Sequence, residues 1–269
     1  KKINQKKIHN TSSAFLSKIN QNKSEITSFS WETTSETSQK IKKIDLKLNS
    51  IVVITGKSGS GKSTFVDIVT GLLSPTEGNI FLDGQEVNKN TCKKLQSCIG
   101  YVPQFSFVAD DTIKKNIALG FKSDQIDFNN VKKAAEISNI SEFIEKELPL
   151  GYDTIIGEDG VKLSGGQRQR ICIARAIYRF PQILIFDEAT NSLDSLTESK
   201  IIRSINKFEQ IKTIIMVTHR VQTLKICDEI LFFDDGKLIE KGNYDHLIKT
   251  NPKFKDMEEN NSTENNLKK

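Results

Sequence analysis

The chain predicts an α/β fold with a largely parallel sheet, and three features of the sequence lead there. Short β-branched runs alternate with helical stretches, two Asp-Gly dipeptides punctuate the chain, and the stretch from about 105 to 178 has helical signals but few strand signals. Strand and helix in alternation are what crossover-connected parallel strands require. The Asp-Gly pairs suit the positive-φ turns of antiparallel hairpins. A small antiparallel β subdomain and an inserted helical subdomain are therefore expected beside the main sheet.

From the N-terminus, residues 1–24 are rich in Lys, Asn and Ser, and residues 255–269 are rich in Asn and Glu. Neither buries enough apolar surface to offset ordering entropy, so a flexible basic linker and a disordered tail are expected around a domain spanning 25–254. Strand 51–55 enters a glycine-rich turn and then a helix running to about Thr70. Strand 80–82 leads into Asp83-Gly84, and strand 99–102 follows. In the helical stretch, apolar spacing predicts helices over 129–140 and 165–178. Strands 183–186, 213–217 and 229–233 come next, the last turning at Asp235-Gly236. No repeat of 20 to 50 residues and no sustained heptad is present.

Composition narrows the functional classes. The 269 residues carry 39 Lys+Arg against 34 Asp+Glu, with 36% hydrophobic and 27% charged residues, as in a soluble globular domain. Apolar runs such as 51–54 and 183–186 are four residues long, far short of the roughly 20 that cross a bilayer. Residues 1–30 hold six Lys and one Glu, which accounts for the whole net charge of +5. The remainder is balanced, which argues against a nucleic-acid partner. The four cysteines form no C-x-x-C pair and no secretory leader is present, so a reducing compartment is expected. The chain begins at Lys1 and not at Met, so a longer parent protein is expected.

Three motifs carry chemistry. Gly56-Lys-Ser58-Gly59-Ser60-Gly61-Lys62-Ser63, with Thr64 after it, follows an apolar strand and opens a helix. A polyphosphate needs unobstructed backbone N–H donors, a cation at its β and γ groups and a hydroxyl on Mg²⁺, and this string supplies them in order. Strand 183–186 ends in Asp187 and Glu188, the first suited to anchor Mg²⁺ and the second to orient or deprotonate an attacking water. Leu163-Ser164-Gly165-Gly166-Gln167 precedes a helical pattern, with Ser164 as N-cap and two glycines baring first-turn amides, a second anion site.

With these residues in place, the chain resembles the nucleotide-binding domain of an ATP-binding cassette (ABC) transporter from about 26 to 254. The resemblance implies a P-loop NTPase (RecA-like) core with ATP and Mg²⁺ as ligands. Leu163 to Gln167 matches the signature of that family. Gln104 matches its lid glutamine, which reaches Mg²⁺ and the attacking water. Asp194, in Asn191-Ser-Leu-Asp194, matches its D-loop, and His219 matches its switch histidine at the γ-phosphate. Trp31, 25 residues before Gly56, stands where the family places an aromatic on adenine. By the same resemblance Mg²⁺ is held by Ser63, Gln104 and Asp187. Ser192 replaces a residue that is more often small and apolar.

Residues 151–160 and 111–117 resemble the exporter form of the family. That form implies a transmembrane domain in the same polypeptide, and a cassette at the cytoplasmic face of the plasma (inner) membrane. It also implies two cassettes head to tail around two Mg-ATP, with Ser164, Gly165, Gly166 and Gln167 acting in trans. Two alternatives stay open: a soluble ABC-type ATPase uncoupled from transport, and a regulatory cassette without turnover. Retention of Glu188, His219 and Ser164 argues against the second. Every catalytic element is present, so a homodimer with two competent sites is expected, although a heterodimer stays open, as does the cargo.

Overall fold

The computed structural model of the chain describes residues 29–32, 43–46, 48–157, 160, 163–211 and 213–267, and of 29, 31, 32, 43 and 260–267 the backbone alone. The basic stretch 1–24 and Glu158-Asp159 lie outside the described residues. Ten strands are described: β1 (Phe29–Glu32), β2 (Lys43–Leu46), β3 (Ser50–Thr55), β4 (Asn79–Leu82), β5 (Gln85–Glu86), β6 (Ile99–Val102), β7 (Ile183–Asp187), β8 (Thr213–Val217), β9 (Glu229–Asp234) and β10 (Lys237–Gly242). They form a four-stranded antiparallel sheet, ordered β2-β1-β4-β5, and a six-stranded sheet, ordered β10-β9-β3-β8-β7-β6. In the larger sheet β9, β3, β8, β7 and β6 run parallel, and β10 closes one edge antiparallel.

Between their end residues the central strands are apolar, over 51–54, 183–186 and 214–217, because both faces of this sheet are covered. Alternate residues serve opposite cores. Val53, Leu184, Phe186, Ile214 and Met216 enter a core shared with the helices α4 (Phe128–Ile137), α6 (Gly165–Ile177) and α7 (Ser195–Asn206). Val52, Ile54, Ile183, Ile185, Ile215 and Val217 face the other way, onto α1 (Lys62–Val69), α2 (Cys92–Cys98) and the smaller sheet. A two-residue period is thus hidden inside each continuous apolar run.

Both Asp-Gly turns are hairpins with positive φ at each residue: 54° and 71° at Asp83-Gly84, 48° and 72° at Asp235-Gly236. Between β6 and β7 lie α3 (Ile113–Ile117), α4, α5 (Ser141–Glu147) and α6. The helix expected over 129–140 ends at Ile137, because Asn139 takes a φ of 57° and breaks the helical path. After α8 (Val221–Ile226) and α9 (Tyr244–Thr250) comes the main correction. The tail expected to be disordered is helical, as α10 (Pro252–Leu267). Phe254 is fully buried against Phe232 and Tyr244, and Met257 one turn on is 9% exposed, so these two apolar residues tie down a start that composition alone disfavours. No helix among the described residues is long and apolar enough to cross a membrane.

Gly56 shows how tightly the sheet sets the loop that follows β3. Its φ is 149°, and a Cβ there would lie 2.1 Å from the Phe233 carbonyl oxygen on β9. Gly56→Ala is expected to cost about 2 kcal/mol or more through strain and clash. For a domain of this size that lowers Tm by roughly 4–8 °C, which a thermal melt will read.

Candidate functional site

The parallel strands deliver the expected groups to one edge. β3 ends at Thr55 and runs into the phosphate loop, β8 leads to His219, β7 ends in Asp187-Glu188, and β6 leads to Gln104. Ligand sites of open α/β sheets lie at these carboxyl ends. β8 lies between β3 and β7, and its end is stitched to both: the Thr218 amide donates to the Ile54 carbonyl, and the Glu188 amide to that of Val217. His219 is therefore set between the phosphate loop and the acidic pair, with its side chain exposed.

The phosphate loop curls around its own lysine. Lys62 Nζ donates to the carbonyls of Gly56, at 2.9 Å, and Lys57, at 2.8 Å. Gly59 and Gly61 have φ of 78° and 92°, values that suit glycine, and Gly61 is the residue before α1. Ser58, Ser63 and Thr64 are exposed. Ser60 is buried, and neither its hydroxyl nor that of Thr55 has a hydrogen-bond partner among the described residues. Burial pulls the Lys62 ammonium below the usual lysine range, opposed by the nearby Glu188 and Asp187 carboxylates. An anionic ligand would favour the charged form further.

Asp187 is only 8% exposed and accepts from the Tyr101 hydroxyl at 3.1 Å. Burial, with repulsion from Glu188 and Asp67, pushes its carboxyl above the ordinary range, and burial beside Asp187 raises the Tyr101 phenol. The native chain thus holds the Asp187 proton more tightly than the unfolded chain does. The ionised carboxylate costs stability at neutral pH, and the cost disappears as pH falls below the unfolded value near ~4. Hard oxygen donors at Ser63, Asp187 and Gln104, with this under-compensated carboxylate among them, fit a divalent cation such as Mg²⁺. Asp187→Asn is expected to melt higher than wild type at pH 7 without nucleotide, the gap closing near pH 4. The variant is also expected to lose any extra stabilisation by Mg²⁺ over ATP alone. Thermal melts across pH, with and without both ligands, will check it.

Glu188 has a φ of 50°, which a non-glycine residue adopts only when its surroundings impose it, and Gln104 Nε2 donates to its Oε2 at 3.0 Å. The glutamine expected at the lid and the acid expected to act on the water are thus in contact. The signature is built as a capping box: Ser164 Oγ accepts from the Gln167 amide at 3.2 Å, and Gln167 Oε1 accepts from the Ser164 amide at 2.7 Å. Ser164 and Gly165 are exposed, and Gly166 lies against the Ser192 carbonyl. Asp194 caps α7 through the Thr197 amide at 2.9 Å, and hydrogen bonding from the Thr197 hydroxyl and then its amide holds the Asp194 carboxyl below the usual range. A groove of about 440 Å³ joins Gln104, Ser106, Gly165, Gln169, Glu188 and Ser192, and the phosphate loop contributes nothing to its lining. The signature and the phosphate loop are not brought together there.

Trp31 lies on β1, opposite Ile44 and Ile80 in register, and its side chain is outside the described residues. Among the described residues no group of three His, Cys, Asp or Glu could hold a metal unaided. The sequence reading missed the role of Tyr101. The signal was the strand period: Tyr101 pairs with Ile185, two residues before Asp187, so all three share one face.

The segments 111–117 and 151–157 also come together. Thr112 bridges Ile155, the Ile113 amide donates to the Thr154 carbonyl at 3.0 Å, and Lys114 pairs with Asp153.

A family profile described as ABC transporter matches residues 40–191. The ATP-dependent lipid A-core flippase of Photobacterium profundum is 40% identical over 205 residues, 76% of this chain and 35% of that protein. The ATM1-type heavy metal exporter of Novosphingobium aromaticivorans is 40% identical over 213 residues, 79% and 34% of the two. P-glycoprotein 14 of Caenorhabditis elegans is 38% identical over 206 residues, 77% and 15%. A solved structure of a bacterial Atm1-family ABC exporter with ATP bound superposes with a TM-score of 0.77 at 36% identity, covering 87% of this chain and 41% of that one. The chain spans about a third or less of the length of these curated relatives.

Proposed function

This chain belongs to the ABC transporter family, and from that premise we propose that it is the ATP-hydrolysing motor domain of an exporter. One observation carries the reading. Phosphate loop, acidic pair, lid glutamine and histidine converge at one sheet edge, while the capped signature helix opens outward on another part of the chain. A single copy supplies only part of an enclosed pocket, so two copies associate head to tail and sandwich two ATP molecules. In each pocket Gly56, Ser58, Gly59, Ser60, Gly61, Lys62, Ser63 and Thr64 cradle the phosphates, and Trp31 stacks on adenine. Ser164, Gly165, Gly166 and Gln167, with Asp194, come from the other copy.

Ser63, Asp187 and Gln104 would hold Mg²⁺, which would supply neutralisation of phosphate charge. Lys62 adds a fixed cation where charge gathers in the transition state. Glu188 orients the water and takes its proton, steadied by Gln104, and His219 holds the γ-phosphate. Phosphoryl transfer leaves the protein little covalent work, so positioning accounts for most of the catalysis. Loss of the γ-phosphate removes the group that bridges the copies, and the pair opens.

Support for the exporter reading comes from the joined segments 111–117 and 151–157, where Ile155, and Leu150 just before the second segment, stay exposed for a transmembrane partner, and from the names of the relatives. The transmembrane domain belongs to the same full-length polypeptide, with the cassette at the cytoplasmic face of the plasma (inner) membrane. Phosphate release from Mg-ATP tests the enzyme reading: turnover rising faster than linearly with protein concentration supports it. Binding without turnover would leave a regulatory cassette.

A further inference from the structure

Arg220, next to His219, makes contacts that the reaction scheme above does not use. Its guanidinium pairs with Glu198 Oε2 on α7, and Nη2 donates to the carbonyls of Leu193, at 2.8 Å, and Asn191, at 3.3 Å. Glu198 is 4% exposed, and its other oxygen accepts from Thr223 Oγ1 at 3.2 Å, so both oxygens of a buried carboxylate are engaged, one by the arginine and one by Thr223. On the backbone side, the Arg220 amide donates to Thr218 Oγ1 at 3.1 Å, which ties the residue to the end of β8.

The gripped carbonyls belong to the turn that connects Glu188 to Asp194. The Asn191 amide donates to the Glu188 carbonyl and that of Leu193 to the Thr190 carbonyl, so this turn starts at the strained glutamate. Midway it lies against Gly166 of the signature helix, and it ends at the cap of α7. One planar fork thus joins the histidine loop to a turn bearing Glu188 at one end and Asp194 at the other.

We propose that Arg220 is a positioning residue that locks the turn 188–194 to the loop carrying His219, so that groups serving a copy's own pocket and its partner's move as one unit. The inference rests on the ATPase reading. A lysine cannot replace the fork, because one ammonium cannot meet Glu198 and two carbonyls in the same planar geometry.

Arg220→Lys and Arg220→Gln, made in the 269-residue chain, test it through three readouts. ATP affinity is expected to stay within about twofold, since the hydrogen bonds of Arg220 go to Thr218, Glu198, Asn191 and Leu193, outside the phosphate loop. With KM little changed, kcat is expected to fall roughly 10- to 100-fold. Amide hydrogen exchange at 191–194 is expected to speed up about tenfold while amides of β3 and β8 keep their protection. Wild-type kcat and loop exchange in Arg220→Lys would overturn the inference. Equal loss of protection in the loop and in β3 and β8 would also overturn it, by marking Arg220 as a general stabiliser. A wild-type chain that releases no phosphate overturns the ATPase reading and this inference with it, whereas active wild type with an indifferent Arg220→Lys overturns this inference alone.

Discussion

Glu188→Gln is expected to bind Mg-ATP as tightly as wild type and to release phosphate roughly 10²- to 10⁴-fold more slowly, the usual contribution of a positioned general base. The amide keeps the volume of the side chain and can still meet Gln104, which now donates to Glu188 at 3.0 Å. What it loses is the ability to take a proton. Because binding survives while turnover does not, the ATP-bound pair should accumulate, and gel filtration with ATP should show a dimer that wild type holds only briefly. The variant therefore separates the grip on nucleotide from the chemistry in two measurements on one protein.

The second large effect lies at Lys62. Lys62→Ala removes the cation from the phosphates and also the two hydrogen bonds, at 2.9 and 2.8 Å, that hold the loop closed on Gly56 and Lys57. A hydrogen bond to a charged group contributes about 1.5–3 kcal/mol, so ATP affinity should drop at least ~10-fold. Turnover should drop further, by ~10² or more, since the lysine meets charge that grows toward the transition state. Calorimetric titration and a phosphate assay will read the two losses separately. The fold itself should be spared, because Lys62 opens α1 at the surface and contributes nothing to either core.

Much of this arrangement is legible in the sequence because local chemistry dictates it. The runs 51–54 and 183–186 are apolar throughout and could only be strands covered on both faces, as β3 and β7 are. The Asp83-Gly84 and Asp235-Gly236 turns, and Ser164 as the cap of α6, follow from single residues and their neighbours. The rest depends on partners distant in sequence. Tyr101 meets Asp187 only because β6 and β7 pair in one register, and Arg220 meets Leu193 only because β8 leads its loop toward the turn after β7. Strands β1 (FSWE) and β2 (KIDL) interleave polar and charged residues with apolar ones over four positions, so neither presents an apolar run that stands out. The order in α10 depends on Phe254 and Met257 finding the main core, which no count of Asn and Glu discloses.

Everything in the functional account depends on each pocket taking its phosphate loop from one copy and its signature from another. Lys62→Ala disables the first half. Gly165→Asp disables the second without disturbing the fold, since a Cβ there meets nothing within 4 Å, and its carboxylate would repel the partner's γ-phosphate. Each variant alone should be inactive. Mixed in equal amounts, half of the dimers carry one intact pocket, and phosphate release should recover to roughly a quarter of wild type. If the mixture stays as inactive as its parts, or if either variant alone keeps wild-type turnover, the shared pocket is contradicted.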